Sequence, residues 1–159
     1  MSFNAFVNFG DIKGESTDKD HKDWVTMTGY EQGVAVPQHA AAARASTTPQ
    51  LSEFKIHKLV DAASPKLYEA CCKGTHLPNV TIELYKTGKD RPVKFLSFTM
   101  KDVLISSVTA DAKDESQFPS EVVNLTFGAI EWTYTKLKPD GTAAGDVTAK
   151  WDLNRNAPA

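Results

Sequence analysis

The stretch DAASPKLYEACCKG, which runs from Asp61 to Gly74, is typical of one short helix in a chain whose other segments resemble strands. Ser64 can accept a hydrogen bond from a free N–H of the first turn, so we expect it to be the N-cap. Pro65 suits the first helical position, where a missing N–H costs nothing. Gly74 suits the left-handed residue that ends a helix. A single capped helix in a β-rich chain limits the folds that remain.

The only cysteines of the chain, Cys71 and Cys72, are adjacent on this helix. Neighbouring helical side chains point about 100° apart, so a disulfide between them would be strained. Their spacing does not match a CxxC redox or metal motif either. We therefore expect a reduced pair, with Cys71 packed beside Leu67 as a small apolar residue.

Downstream of the helix, apolar residues alternate with the period of a strand. In Val80–Tyr85 the apolar side chains share one face, and Thr87–Pro92 is a predicted hairpin loop. A strand then begins near Val93, and the apolar run Val103–Ile105 is its continuation or a separate buried strand. The bulky apolar residues of this strand are Phe95, Leu96, Phe98 and Met100.

The C-terminal third predicts a surface loop followed by a long hairpin. Thr109–Pro119 is polar and charged, and a long strand is expected from Glu121 to about Lys136. Its bulky series shifts by one residue after Gly128, which a β-bulge would explain. Pro139–Gly141 is a turn signal, and Val147–Leu153 closes the hairpin.

The N-terminal half has a looser strand pattern. Phe3–Ile12 and Trp24–Val36 have strand-like composition, and the charged loop Gly14–Asp23 separates them. Gln38–Gln50 has alanines but no apolar face, so we expect a long mobile loop there. Leu51–Val60 resumes a strand, with Phe54 and Ile56 inward. The total is about eight strands and one helix.

Length and charge bound the function classes. The 159 residues fit one domain, residues 1–159, and the net charge is -2 with 18 basic and 20 acidic residues. Without a basic excess or a long apolar run, we expect no nucleic-acid partner and no membrane insertion. The stretch Met1–Phe9 lacks the positive region of a secretion signal, so we expect synthesis in the cytoplasm and export, if any, without a cleavable leader.

The four histidines, His21, His39, His57 and His76, are not arranged as metal ligands or as a catalytic group. No two of them are four residues apart, and no cysteine or carboxylate completes a ligand pattern. We expect each of them at the surface. The sequence therefore predicts no catalytic, metal-binding or cofactor-binding residue and no cofactor.

Two other patterns also favour a scaffold over a site. The acidic run Asp18–Asp23 lacks the calcium-loop residues, because Lys22 and Asp23 stand where an oxygen ligand and a glycine are needed. Trp132 and Trp151 belong to alternating apolar series, so core packing outweighs a ligand platform. From the residues alone, this is a β-rich chain with no visible active site.

Several segments, in order along nearly the whole chain, together resemble one family. They are Ile12–Ser16, Asp20–Trp24, Asp61–Ala70, Lys101–Ser107, Pro119–Glu131, Lys138–Gly141 and Lys150–Leu153. In combination they resemble the hemolysin-coregulated protein (Hcp) family, the tail-tube component of bacterial type VI secretion systems. The chain departs from the family's pattern in the loops Ala40–Ala45 and Asp111–Phe118.

The resemblance implies a mainly β fold, a two-sheet β-barrel with one short α-helix. It implies a non-enzymatic homo-hexamer, a ring with a wide pore, whose copies stack into a tube. A contractile sheath expels the tube together with a VgrG-type tail spike, so the protein is itself secreted, with small effector proteins in the pore. Under this resemblance, the expected contacts between stacked rings are Arg44, Gly88, Lys89, Asp90 and Arg155.

Two alternatives stay open at this point. The first is a monomeric ligand-binding β-barrel carrier, which the aromatic content and the strand count suggest and which would need an internal apolar cavity. The second is a hydrolase of unknown type, for which only the scattered histidines and aspartates speak.

Overall fold

The computed structural model describes residues 3–37 and 48–159, which form eleven strands and one helix. A mainly β chain with one short helix is therefore confirmed. The number of strands exceeds the expected eight, in part because the predicted segment Trp24–Val36 forms three very short strands. In chain order the elements are β1 (Phe3–Asn8), β2 (Val25–Met27), β3 (Gly29–Glu31), β4 (Val34–Ala35), β5 (Gln50–Leu51), β6 (Phe54–Leu59), α1 (Ser64–Lys73), β7 (Leu77–Lys86), β8 (Val93–Asp111), β9 (Ser120–Thr126), β10 (Ala129–Leu137) and β11 (Ala143–Asp152).

The 19-residue strand β8 belongs to both layers of the fold. Its first part pairs with β7 and β10, and its second part pairs with β9. Between the two parts, Asp102 has a φ of 53°, and there the strand turns from one layer to the other. The run Val103–Ile105 continues β8, as the sequence allowed. The predicted loop Thr109–Pro119 begins too early, because pairing with β9 extends β8 to Asp111.

The predicted long strand from Glu121 to Lys136 is two strands, so the single-strand interpretation is wrong. β9 pairs with β8 and β6, whereas β10 pairs with β8 and β11. Gly128 lies between them, and its N–H donates to the carbonyl of Lys101 at 2.9 Å. A Cβ on Gly128 would lie 3.3 Å from Asp102 Cβ. The phase shift in the sequence therefore marks a corner between layers rather than a bulge.

The main sheet runs in the order β2-β1-β7-β8-β9-β6-β3, with β10 and β11 branching from β8, and β4 pairs with β5 separately. The two ends of this path, β2 and β3, are consecutive in sequence. Thr28, between them, donates its N–H to the carbonyl of His57 at 2.8 Å. The sheet therefore curls into a barrel-like shape, although within the described ranges no ladder joins β2 to β3.

Apolar side chains from both layers fill the interior. Phe54 lies between Tyr30 and Phe98, with ring centroids 5.6 Å and 5.0 Å away. Phe54 and Ile56 are fully buried, as predicted, and so is the apolar face of β7. Leu67 of α1 is fully buried, so the helix packs against the same core.

The start of α1 corrects the predicted cap. The N-cap residue is Ala63, and no side chain caps the first turn. Ser64 lies inside the helix, where its hydroxyl accepts from the N–H of Asp61 at 3.0 Å and lies 3.0 Å from Glu121 Oε1. The buried carboxylate of Glu121 thus competes for the hydroxyl that the local pattern assigns to the cap.

The end of α1 agrees with the sequence. Gly74 has a φ of 64°, and its N–H donates to the carbonyl of Cys71. Thr75 donates its N–H to the carbonyl of Ala70 at 3.0 Å, which completes a Schellman motif. Cys71 is half-buried against the core, Cys72 is exposed, and both are free thiols.

Candidate functional site

The hairpin of β10 and β11 extends the sheet beyond the core. Among the described strands β11 pairs only with β10, and its side chains are exposed from Ala143 to Lys150. The outer backbone edge of a ten-residue strand therefore lacks a ladder partner in the part of the chain that the structure describes. Such an edge is a template for pairing with another strand.

One face of this hairpin continues the apolar face of the core, but on the hairpin no other part of the described chain buries it. The pairing aligns Leu84, Leu96, Tyr134 and Val147 in one row across four strands. Leu84 is buried and Leu96 half-buried, whereas Tyr134 is 49% and Val147 54% exposed. Paired residues of a sheet share a face, so the row leaves the core and enters solvent without becoming polar.

The neighbouring row behaves similarly. It aligns Phe98, Trp132 and Ala149. Trp132 is half-buried against the core, and its Nε1 donates to Gln32 Oε1 at 3.2 Å, so its packing role agrees with the sequence. We call Leu96, Trp132, Tyr134, Val147 and Ala149 the outer apolar face.

The opposite face of the hairpin is polar. Thr133 and Thr148 lie across from each other with their hydroxyls 3.2 Å apart. Thr135 donates its hydroxyl to Asp146 at 2.7 Å. The hairpin is thus two-sided, and only one side offers an apolar surface to a partner.

Four of the five expected ring-stacking residues are described by the structure, and they lie near the two ends of this hairpin. Gly88, Lys89 and Asp90 are in the loop between β7 and β8, beside the turn between β10 and β11, where Gly141 has a φ of 87°. A Cβ on Gly141 would lie only 3.6 Å from the backbone nitrogen of Lys89. A cleft of about 570 Å³ opens between the two tips. The structure therefore places these three residues at the Gly141 end of the hairpin.

Arg155 lies at the other end of the hairpin. It follows Asp152, which pairs with Ala129 at the start of β10, and its N–H donates to Asp152 Oδ1 at 3.1 Å. Arg44 and the greater part of the expected mobile loop Gln38–Gln50 lie outside the described residues. The assignment of all these residues to stacking contacts stays a prediction.

Gly88 also has a local reason to be glycine. A Cβ there would run into the carbonyl oxygen of Arg91 and lie 2.9 Å from Val93 Cγ2. Any side chain at this position would distort the turn, so Gly88 is a poor probe of intermolecular contacts.

The histidines divide into a buried one and exposed ones. His21 is 3% exposed, which corrects the expected surface position. His76 is exposed beside Asp102, with Nδ1 2.9 Å from Oδ1. His57 is partly exposed and pairs with Glu31 at 3.1 Å. His39 lies outside the described residues. The sequence held one indication that His21 is buried. In the alternating pattern of β1, Phe6 is an apolar residue on the outward side, so another side chain is needed there to cover its ring.

The structure contains a buried charge cluster that the sequence pattern did not predict. The Lys58 ammonium lies 2.6 Å from Glu121 Oε1 and 3.0 Å from Asp61 Oδ1, and neither Lys58 nor Glu121 has an exposed side chain. Lys58 and Glu121 are direct partners across β6 and β9. Both occupy the inward phase of an alternating strand, after Ile56 and before Val123, and that phase could have revealed them.

Residues 3–37 and 48–159 contain neither a metal-ligand cluster nor a membrane-spanning helix. No set of three or more histidine, cysteine, aspartate or glutamate side chains is arranged to hold a metal ion. No helix there has the length and apolar character that a membrane crossing requires.

Comparison with known proteins identifies the family. The family described as "Type VI secretion system effector, Hcp" matches residues 6–134. The chain belongs to the Hcp family. It is 28% identical to Protein hcp1 of Pseudomonas aeruginosa over the full length of both chains. It is 27% identical to the Major exported protein of the same organism, over 86% of this chain and 81% of that one.

A solved structure described as a type six secretion system protein has the same fold. Its TM-score is 0.91 at 23% identity, covering 99% of this chain and 100% of that chain. The barrel-like arrangement with one helix is therefore the Hcp fold, and the type VI secretion family expected from the sequence is confirmed.

Proposed function

We propose that this Hcp-family chain is a structural subunit of the type VI secretion inner tube. The observation that carries the proposal is the open edge of β11, flanked by the outer apolar face. Family membership supports it independently. In this role the chain forms hexameric rings, and the rings stack head to tail into a tube.

The edge and the face together favour a second copy of the chain as the partner. A free strand edge and exposed Tyr134 and Val147 are an aggregation hazard in a monomer. A neighbouring copy that pairs with β11 removes both at once. Contacts between unlike surfaces of identical copies form a closed ring when the rotation closes.

Stacking uses the two ends of the hairpin in this proposal. The nine residues of β10 separate the Gly88–Asp90 loop from Arg155 by about 30 Å, at roughly 3.3 Å per strand residue. Residues at opposite ends can meet those of the next ring, so the same contact repeats along an axis and builds a filament. Arg44 belongs to the proposed stacking contacts as well.

The remaining parts of the proposal concern the secretion machine. The chain acts as one domain, residues 1–159, is made in the cytoplasm, and leaves the cell when a sheath expels the tube. Its partners are the VgrG-type spike, the sheath and small effector proteins in the pore, and its role is not enzymatic. The space between the layers holds buried side chains such as Phe54, Phe98 and Met100, which disfavours the monomeric carrier.

We expect Val147→Lys to abolish ring formation and leave the fold intact. Val147 is 54% exposed in the isolated chain, so lysine costs the monomer little, but in the proposed ring its charge would be buried without a partner. Light scattering and negative-stain electron microscopy of the purified protein measure the rings, and circular dichroism checks the fold.

Thr148→Lys is the matched control, because Thr148 lies on the polar face of the same strand. Its rings should persist. Rings formed equally well by Val147→Lys, or a wild-type monomer at micromolar concentration, would contradict the proposed surface.

We expect Lys89→Glu and Arg155→Glu each to prevent tubes while leaving single rings. Each change reverses a charge at one end of the β10–β11 hairpin, and stacking at close range is sensitive to like charges. Electron microscopy at low salt counts tubes and rings. Lys13→Glu makes the same charge change on an exposed residue that is not among the proposed stacking contacts and should still form tubes. Normal tubes from both end variants would remove these residues from the stacking contacts.

A further inference from the structure

His21 is held by a carboxylate on each ring nitrogen. Its Nδ1 lies 2.6 Å from Asp18 Oδ1, and its Nε2 lies 3.0 Å from Glu83 Oε2. The ring stacks on Phe6 of β1 with centroids 4.3 Å apart and an interplanar angle of 6°. Trp24 meets it edge-on at 4.8 Å. One buried ring thus joins the segment 14–24 to the outer face of β1 and β7.

Both carboxylates are acceptors at neutral pH. The hydrogen bond from His21 lowers the pKa of Asp18. Burial raises the pKa of Glu83, but hydrogen bonds from Tyr85 and His21 outweigh it, so that the net pKa lies below the ordinary value. Burial and the neighbouring Glu83 raise the pKa of Tyr85. Tyr85 therefore keeps its proton and donates to Glu83 Oε2 at 2.6 Å.

An ionised carboxylate can only accept hydrogen bonds, so each ring nitrogen of His21 must donate. A neutral imidazole has one N–H, and only the imidazolium has two. We propose that His21 is a proton-operated clamp, which holds residues 14–24 against β1 and β7 while both of its ring nitrogens carry a proton.

The charged and titratable groups around His21 come from the segment 14–24, from β7 and from β8. Asp18 comes from the segment itself, Glu83 and Tyr85 from β7, and Lys94 of β8 lies 3.9 Å from Glu83 Oε1. β1 contributes the apolar ring of Phe6. Two carboxylates therefore face one imidazolium, with a lysine at the margin of the second carboxylate.

Loss of one ring proton would leave a nitrogen lone pair facing a carboxylate. The clamp therefore holds while both carboxylates are ionised and both ring nitrogens are protonated. Acid that protonates Asp18 or Glu83 weakens it, and so does a rise in pH that removes a ring proton. The segment is otherwise tied by its own backbone pairs, such as Gly14 N–H to the Asp23 carbonyl at 2.8 Å and Ser16 N–H to the Trp24 carbonyl at 3.1 Å.

The clamp also positions a charge at the proposed stacking end. Asp20, one residue before His21, lines the cleft beside Lys89 and Asp90. Release of the segment would therefore change the electrostatics of this cleft. The protonation of His21 is testable whether or not rings stack there, so failure of either idea is separable from the other.

Nitrogen NMR of the full chain with labelled histidines tests the proposal. We expect both ring nitrogens of His21 to be protonated at neutral pH, while His57, which is partly exposed with a carboxylate on one nitrogen only, serves as the comparison in the same spectra. As the pH rises and His21 loses a proton, the amides of Gly14 and Ser16 should lose protection from hydrogen exchange together with it. A neutral His21 ring at neutral pH would overturn the clamp, and so would hydrogen exchange of these two amides that does not change as His21 loses its proton.

Glu83→Gln separates a proton-operated clamp from simple packing. The amide keeps the size of the side chain and can still accept from the ring, but it no longer stabilises the imidazolium. We expect the variant to fold and His21 to lose its proton at a lower pH than in the wild type. An unchanged titration of His21 in a folded variant would contradict the proposal.

Discussion

Glu121→Ala is expected to reduce the free energy of unfolding by about 3–5 kcal/mol, the usual cost of removing one partner of a buried ion pair. Glu121 Oε1 lies 2.6 Å from the Lys58 ammonium, and neither side chain has exposed surface. The change leaves a buried ammonium with Asp61 at 3.0 Å as its remaining carboxylate, and it removes the acceptor next to Ser64. Urea unfolding followed by circular dichroism measures the loss.

Two comparisons make this prediction specific. Glu131→Ala removes a partly exposed partner of Lys150, 3.4 Å away, and should cost less than about 1 kcal/mol because water screens such pairs. The double variant Lys58→Met with Glu121→Leu replaces the buried pair by apolar groups and should regain much of the loss. A single Glu121→Ala variant as stable as the wild type would mean that the pair is not buried in the folded protein.

Phe54→Ala is expected to cost about 3–5 kcal/mol through the cavity it leaves. Phe54 has no exposed surface and contacts the rings of Tyr30 and Phe98. These aromatic residues come from β6, β3 and β8, so the cavity would open between the two layers, where neighbouring strands cannot easily collapse. The midpoint and slope of urea unfolding measure the effect.

Phe118→Ala is the matched control for this core prediction. It removes the same ring from a position that is 68% exposed, so the stability of the isolated chain should change by less than about 0.5 kcal/mol. A similar loss for both variants would show that ring volume alone, without its place between the layers, does not explain the effect.

Local chemistry made parts of this fold predictable from the sequence. The period-two face of β7, the left-handed Gly74 and the turn at Gly141 each depend on neighbours in the chain. Such features are decided within a few residues, by side-chain alternation and by the freedom of glycine at positive φ. The sequence predicts these features correctly because no distant contact competes with them.

Distant partners explain what was missed. Ser64 is a good N-cap by local rules, but Glu121, 57 residues away, takes its hydroxyl. His21 is buried because Glu83, 62 residues away, meets its second nitrogen. The corner at Gly128 depends on which strand pairs with each half of β8. None of these pairings is visible in a local window, and the same holds for the free edge of β11.

The outer edge and face of β11 were anticipated only in general terms. Alternation in Val147–Leu153 predicts that one side of this strand is apolar. Val147 does align with the row of Leu84 and Leu96, yet it is 54% exposed. The sequence pattern encodes which side is apolar but not what covers it. An apolar row that continues beyond the buried core of its own chain is what the proposed pairing with a second copy predicts.

The sharing of β8 between the two layers has a mechanical consequence. One covalent backbone runs through both sheets and turns at Asp102, so a pull applied to either layer is carried into the other by peptide bonds rather than by side-chain contact alone. Its ladders with β7 and β10 lie in the first part of the strand, and its ladder with β9 lies in the second part. The backbone of β8 is therefore a covalent link between the two layers, in addition to the packing of the core between them.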